Sequence, residues 1–444
     1  IAMILYFLTP TKFKNLTLLV VSLIFYSWGE PKYFLIMVAS IVVDYLVSRG
    51  IEKSRNNKKI CILLLSISMI FNLGMLFFFK YFNFFIENLN NILGISLKYV
   101  NITLPLGISF YTFQTMSYTI DVFLGKVKAE KNIINFGAFV CLFPQLIAGP
   151  IVKYTDINLE LKHRKIDIIQ IQDGIELFII GLGSKVLIAN NIGAFWSEIE
   201  GRGFGGVGTI IAWMSVLAFT LQIYFDFSGY SLMAIGLGKI LGFNFPRNFN
   251  YPYISKSITE FWRRWHITLG AWFKEYVYIP LGGNRVGRLR LYINLFIVWF
   301  LTGFWHGASY NFILWGLYFF ILISIEKAVL LKFLKKHKII SHIYSIFFIL
   351  IGWAIFAVVD LEQLKILLKE MFSISKNTQW IYYVRNYGIT FIIATVLSTP
   401  MVKNIYNKLI KSDILKTVIL MVIFLISIAY LVDATYNPFL YFRF

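Results

Sequence analysis

Two of the five histidines in this 444-residue chain stand where an imidazole can do chemistry. His266 lies in SITEFWRRWHITLGAWF and His306 in WFLTGFWHGASYNFILWG, both apolar and rich in tryptophan. An ionisable side chain in such surroundings is costly and marks a functional site by default. Neutral imidazole also takes up a proton near neutral pH. His163 and His337 sit in basic stretches and read as solvated, and His342 opens an apolar run at an interface. Asp226 falls in mid-run within LQIYFDFSGYSLMAIG, with Gln222 and Tyr230 on its helical face. A carboxylate there needs a partner, either a basic or imidazole group in a site or a neighbouring helix that it braces. YIPLGGNRVGRLR offers a turn at Pro280, Gly282, Gly283 and Asn284, followed by Arg285, Arg288 and Arg290. Backbone donors and guanidinium groups of this kind suit the phosphates of a nucleotide-like donor. The same arginines also suit a positive-inside loop.

The elements that position these groups follow from local pattern. Ser257 and Glu260 form an S-x-x-E capping box, which predicts a helix start. Glu260 and Arg264, and Trp262 and His266, are spaced i, i+4, so one helix is expected to carry bases and indoles beside the imidazole. An interfacial amphipathic helix with snorkelling arginines has the same composition. Around His306, Gly303 and Gly307 allow close approach of a backbone or a ligand, although a packing histidine bonded between helices fits the same spacing.

The rest of the chain says what kind of body holds them. Apolar residues make up 58%, aromatic residues 18% and charged residues 14%, against about a quarter charged in soluble domains. Mean hydropathy is +0.70. Apolar runs recur, many near the 20 residues that cross a hydrocarbon core about 30 Å thick, and they lack the alternation of outer-membrane barrels. The expected body is an all-α polytopic membrane protein, one transmembrane domain over residues 1–444. The net charge of +20 lies in short loops and sets orientation rather than binding nucleic acid. Cys61 and Cys141 fall inside apolar stretches without metal-ligand spacing, so no metal site or disulfide framework is expected. No charged n-region of a cleavable signal precedes the first run, which starts at Ile1, so further residues are expected upstream. The basic clusters, from Lys12–Lys14 through Lys256–Arg290 to Lys403–Lys416, are expected on the cytoplasmic side. Lys131 and Lys153 are then joined by one run, 134–152, broken by Pro144, Gly149 and Pro150; it is expected to dip in and return.

Taken in order, LPLGISFYTFQTMSYTIDVFLG at 104–125, FPQLIAGPIVKY at 143–154, YFDFSGYSLMAIGLGKILGF at 224–243, FWRRWHITLGAWFKEYVYIPLGGNR at 261–285, LTGFWHGASYNFILWG at 301–316 and NPFLYFRF at 437–444 resemble the membrane-bound O-acyltransferase (MBOAT) family, in its polysaccharide O-acetylation branch. Leu232 stands where that branch often has Asp, and Lys274–Glu275 replaces a usual Arg–Asp pair. The branch that D-alanylates teichoic acid shares the WRRWH-like and WHG elements but usually lacks YIPLGGNR.

The resemblance implies a bundle of about 11 transmembrane helices with re-entrant segments around a central tunnel, in the bacterial cytoplasmic membrane. It implies two active-site histidines, His306 as the main catalytic residue and His266 beside it. Substrate binding is expected from Arg263, Arg264, Asn284, Arg285, Asp226 and Trp305. An acyl group, expected to be acetyl, would move from a cytoplasmic thioester, acetyl-CoA or an acyl carrier protein, to an extracellular or cell-wall polysaccharide, with no resident cofactor. An extracytoplasmic partner of the SGNH-hydrolase type is implied. The alternatives are a teichoic-acid D-alanyl transferase with a carrier-protein donor and, in another class, a polysaccharide or small-molecule transporter.

Overall fold

The computed structural model describes residues 1–374 and 377–433, and the terminal NPFLYFRF motif lies outside them. Among the described residues the secondary structure is helical, without a strand. Among the described residues, seven helices are long and apolar enough to cross a membrane: Phe34–Lys53, Lys58–Leu93, Ile168–Arg202, Thr209–Ile240, Tyr310–Lys336, Lys338–Ala357 and Asp413–Asp433. Trp380–Leu397 and Met401–Leu409, bent by 74° at their break, make an eighth if they act as one span. Shorter helices fill several of the remaining apolar runs. Two of those runs fold as Lys14–Gly29 and Ile108–Phe123, helices of 16 residues each. Sixteen residues rise only about 24 Å, short of a 30 Å core.

The chain packs as two compact units, Ile1–Ile175 with Ala234–Pro246, and Glu176–Met233 with Arg247–Phe444. In the first unit, a buried polar knot joins three helices. Asp44 of Phe34–Lys53 accepts hydrogen bonds from Ser68 Oγ, Asn72 Nδ2 (2.8 Å) and Thr119 Oγ1 (3.0 Å). Away from water such a carboxylate must find its donors inside the protein.

The same unit holds the 134–152 run. Asn132 caps a helix, Ile133–Cys141, of only nine residues, which rises about 13 Å. The chain then turns through Pro144, Gly149 and Pro150. The two ends of the run are pinned together by Glu130. Its carboxylate accepts the backbone N–H groups of Lys131 and Asn132 (2.8 and 3.0 Å) and the Tyr154 hydroxyl (2.6 Å).

In the second unit, helices approach through glycine. A methyl group on Gly229 would meet Gly181 O at 2.7 Å, and one on Gly181 would meet Gly229 O at 2.5 Å. Beside this contact Asp226 pairs with Lys185 at 2.5 Å. The hairpin of Arg288–His306 and Tyr310–Ile325 is equally tight, since a methyl on Gly303 would meet Phe312 O at 2.3 Å and Gly316 Cα at 3.1 Å. Small residues let the backbones come this close.

Cysteines introduced as Lys131→Cys and Lys153→Cys should react with a membrane-impermeant maleimide from the same side of the bilayer. Reaction from opposite sides would show that 134–152 crosses.

Candidate active site

The FWRRWH segment forms two short helices with a sharp break, not the one helix that the i, i+4 spacing suggested. Ser257 begins Ile258–Arg264 and its side chain accepts from Glu260 N at 3.0 Å, as the capping box requires. The return contact differs, because Glu260 accepts from Lys256 N at 2.9 Å rather than from Ser257. Trp265 is extended, and His266, at φ 42°, takes the left-handed conformation before Ile267–Phe273 begins. A residue with a side chain rarely adopts that conformation without support from its surroundings. Trp262 and His266 therefore face different neighbours. Trp262 packs against Trp299, Trp315 and Phe319, with ring centroids 4.9–5.3 Å away.

Two side chains far away in sequence secure the starts of the two short helices. Asn248 takes over the start of Ile267–Phe273. Its backbone carbonyl accepts Ile267 N at 2.9 Å, and its side-chain oxygen accepts Thr268 N at 3.3 Å and Thr268 Oγ1 at 3.0 Å. Glu326, fully buried, closes the start of the preceding helix by accepting Ile258 N (2.6 Å), Thr259 N (2.9 Å) and Thr259 Oγ1 (2.6 Å). A carboxylate at a helix N-terminus gains from both the charge-assisted bonds and the helix dipole. Asn250 adds a backbone bond to Arg264 O at 2.9 Å.

These supports bring His266 and His306 to one indole. His266, 2% exposed, stands edge-on to Phe227 at 4.8 Å and contacts Trp305 at 6.3 Å. His306, 7% exposed, is the last residue of Arg288–His306. Its ring lies 5.0 Å from Trp305, 5.0 Å from Trp315 and 5.1 Å from Phe356. At a helix C-terminus the dipole favours a positive imidazolium. His266 stands at the start of Ile267–Phe273, and full burial lowers its pKa from the ordinary value.

The comparisons with known proteins bear on what this arrangement does. Residues 126–359, which include both histidines, match the family model for MBOAT, membrane-bound O-acyltransferases. The chain belongs to the membrane-bound O-acyltransferase family. It is 39% identical over 374 residues to the probable alginate O-acetylase of Pseudomonas aeruginosa, covering 83% of this chain and 72% of that protein. It is 36% identical to the peptidoglycan O-acetyltransferase of Helicobacter pylori, covering 82% and 74%. Similarity to the teichoic acid D-alanyltransferase of Bacillus subtilis is lower, 27% over 57% of this chain and 68% of that protein.

Within this membrane-bound O-acyltransferase, the remaining candidates fall into separate places. Arg264 is held by Glu260 (2.9 Å) and by Asn250 O (3.1 Å), so it secures the break. Asp226 is committed to Lys185, one residue from Phe227 on the wall around His266. Arg263, Asn284 and Arg285 are exposed. Asn284 Oδ1 accepts from Tyr278 (2.7 Å) and Lys327 (2.8 Å), and the Arg263 charge is close enough to repel that of Lys327. The turn read at Pro280–Asn284 is present, with Gly282 at φ 105° and Gly283 at φ 56°.

Three contributors escaped the sequence reading. Lys327 is one charge among the bases of Lys327–Lys338 and carries no signal of its own. Glu326 carried a signal, being the one acid in the apolar 309–333 run. Asn248, in FNFPRNFNYP, carried none beyond being polar among aromatics.

Glu326→Ala would leave three buried donors without an acceptor. A loss of about 3 kcal/mol or more is expected at 1–3 kcal/mol per orphaned group, read as a lower unfolding midpoint in detergent. Glu326→Gln, which keeps one acceptor oxygen, should lose less. An unchanged midpoint for the alanine variant would remove Glu326 as the anchor.

Proposed function

We propose that this enzyme moves an acetyl group from a cytoplasmic thioester towards a hydroxyl of a cell-surface polysaccharide, working in the bacterial cytoplasmic membrane. The observation that carries the proposal is the meeting of His266 and His306 on Trp305 in a chain of the O-acyltransferase family. The relatives named for acetylation of alginate and of peptidoglycan support acetyl as the group and a polymer as the acceptor. The lower similarity to the D-alanyl transferase, together with the YIPLGGNR turn, favours acetylation over D-alanylation with a carrier-protein donor. A transporter without covalent chemistry would not need the paired imidazoles.

In the proposed step, the hydroxyl oxygen attacks the thioester carbonyl carbon. The new C–O bond forms, the C–S bond breaks, and the hydroxyl proton passes to His306 and then to the departing thiolate. His306 suits the role because the imidazolium forms at a helix C-terminus. The aromatic enclosure by Trp305, Trp315 and Phe356 keeps out water that would hydrolyse the thioester. Arg263, Lys327, Asn284 and Arg285 are assigned to the donor's phosphates. The support for this is that Arg263 and Lys327 are held close together despite their repulsion, which an anion between them would relieve. An extracytoplasmic partner of the SGNH type, completing transfer to the polymer, belongs to the same reading.

His306→Ala should lower polymer O-acetylation by a hundredfold or more, the scale of general-base catalysis, with unchanged recovery of monodisperse protein from the membrane. Retained acetylation would remove His306 from the mechanism. Replacing both Arg285 and Arg288 by Gln should raise the apparent KM for acetyl-CoA severalfold while kcat changes little, because contacts remote from the reacting carbon contribute uniform binding. Normal donor dependence in correctly inserted protein would leave these arginines as orientation signals only.

A further inference from the structure

The protonation pattern of His266 is fixed by its neighbour. Asn248 Oδ1 accepts the backbone N–H of Thr268 at 3.3 Å. That N–H can only donate, so the atom facing it must be the oxygen and not the amide nitrogen of Asn248. His266 Nδ1 lies 3.1 Å from the same oxygen, and two acceptors do not bond to each other. Nδ1 therefore carries the proton and donates it to Asn248. The neutral ring then has a bare lone pair on Nε2. Nε2 is buried and meets no hydrogen-bond partner among the described residues. Buried polar atoms without a partner are rare enough to require an explanation.

The walls beside the ring narrow what Nε2 can receive. Phe227 and Trp305 stand edge-on to it, and Phe249 stacks at 6.5 Å. A lone acceptor among apolar rings selects a mostly apolar ligand segment with a single donor. The attacking hydroxyl has one proton, which His306 takes, so the donor to His266 belongs to the other substrate. The thioester arm shared by coenzyme A and carrier proteins has an amide N–H two carbons from its sulfur.

We propose that Asn248 is a positioning residue that holds His266 as the Nδ1–H tautomer, so that Nε2 accepts a hydrogen bond from the amide N–H of the donor's arm. This rests on the acyltransfer reading. His266 then orients the donor, and in this form it has no proton to offer the thioester carbonyl.

Two measurements test it. In histidine-¹⁵N-labelled protein in detergent, with the resonances assigned by their loss in His266→Gln, Nδ1 of His266 should be protonated and Nε2 bare. A proton on Nε2 would overturn the proposal and leave the acyltransfer reading standing. The second measurement compares S-acetyl-N-acetylcysteamine, which has the amide, with ethyl thioacetate, which lacks it. Asn248→Leu should raise KM for the first about fivefold to tenfold, the size of one neutral hydrogen bond, with little effect on the second or on kcat. Asn248→Asp, which keeps the acceptor oxygen, should restore the preference and, by favouring imidazolium, move the acid-side limb of the pH profile to higher pH. Equal losses with both thioesters would show that Asn248 only supports the fold and would overturn the proposal. No transfer from either thioester by the unaltered protein would remove the acyltransfer reading and the amide contact with it, but not the tautomer.

Discussion

A buried helix cannot stop without new partners for the backbone groups that its ending frees. The active-site region depends on how this chain meets that constraint at Trp265–His266. Asn250 N donates to the Arg264 carbonyl at the end of the first short helix and Asn248 accepts from the start of the second, while Glu326 closes the distant start of the first. With them in place His266 holds a left-handed backbone, and its ring leaves the face that carries Trp262. An unbroken helix would have kept both side chains on one stripe. The break is what brings His266 to Trp305, and so to His306.

The first unit handles a related problem with a different outcome. Asp44 is as buried as Glu326, but its donors are side chains on neighbouring helices instead of backbone N–H groups. It therefore ties regular helices together without interrupting any of them. Glu130 again accepts backbone N–H groups, and again the chain beside it is short and irregular. In this molecule a buried carboxylate bound to backbone accompanies broken structure, and one bound to side chains accompanies continuous helices.

Much of this was legible from residue pattern. The two histidines stood out because imidazole is rare in tryptophan-rich apolar sequence, and the serine cap and the Pro–Gly turn are local signals that the structure repeats. The short helix and turns within 134–152 followed from the prolines in the run. The break at His266 was not legible, because the side chain that takes over there, Asn248, lies 18 residues away and the local spacing favours a continuous helix. Apolar runs do not by themselves give the number of crossings either. Apolar runs record what is buried, and helices such as Ile108–Phe123 are buried against protein without being long enough to cross.

The Glu326 contact also sets an order of events during synthesis. Ile258 and Thr259 leave the ribosome 68 and 67 residues before the carboxylate that holds them. During that interval the FWRRWH segment has its local cap at Ser257 but not its distant acceptor, and the Arg288–His306 and Tyr310–Ile325 hairpin is made in between. The nascent chain therefore completes the helix that ends in His306 before it can close the start of the helix that leads to His266. Closing that start is a late step, because it waits for the residue that follows the hairpin's second helix.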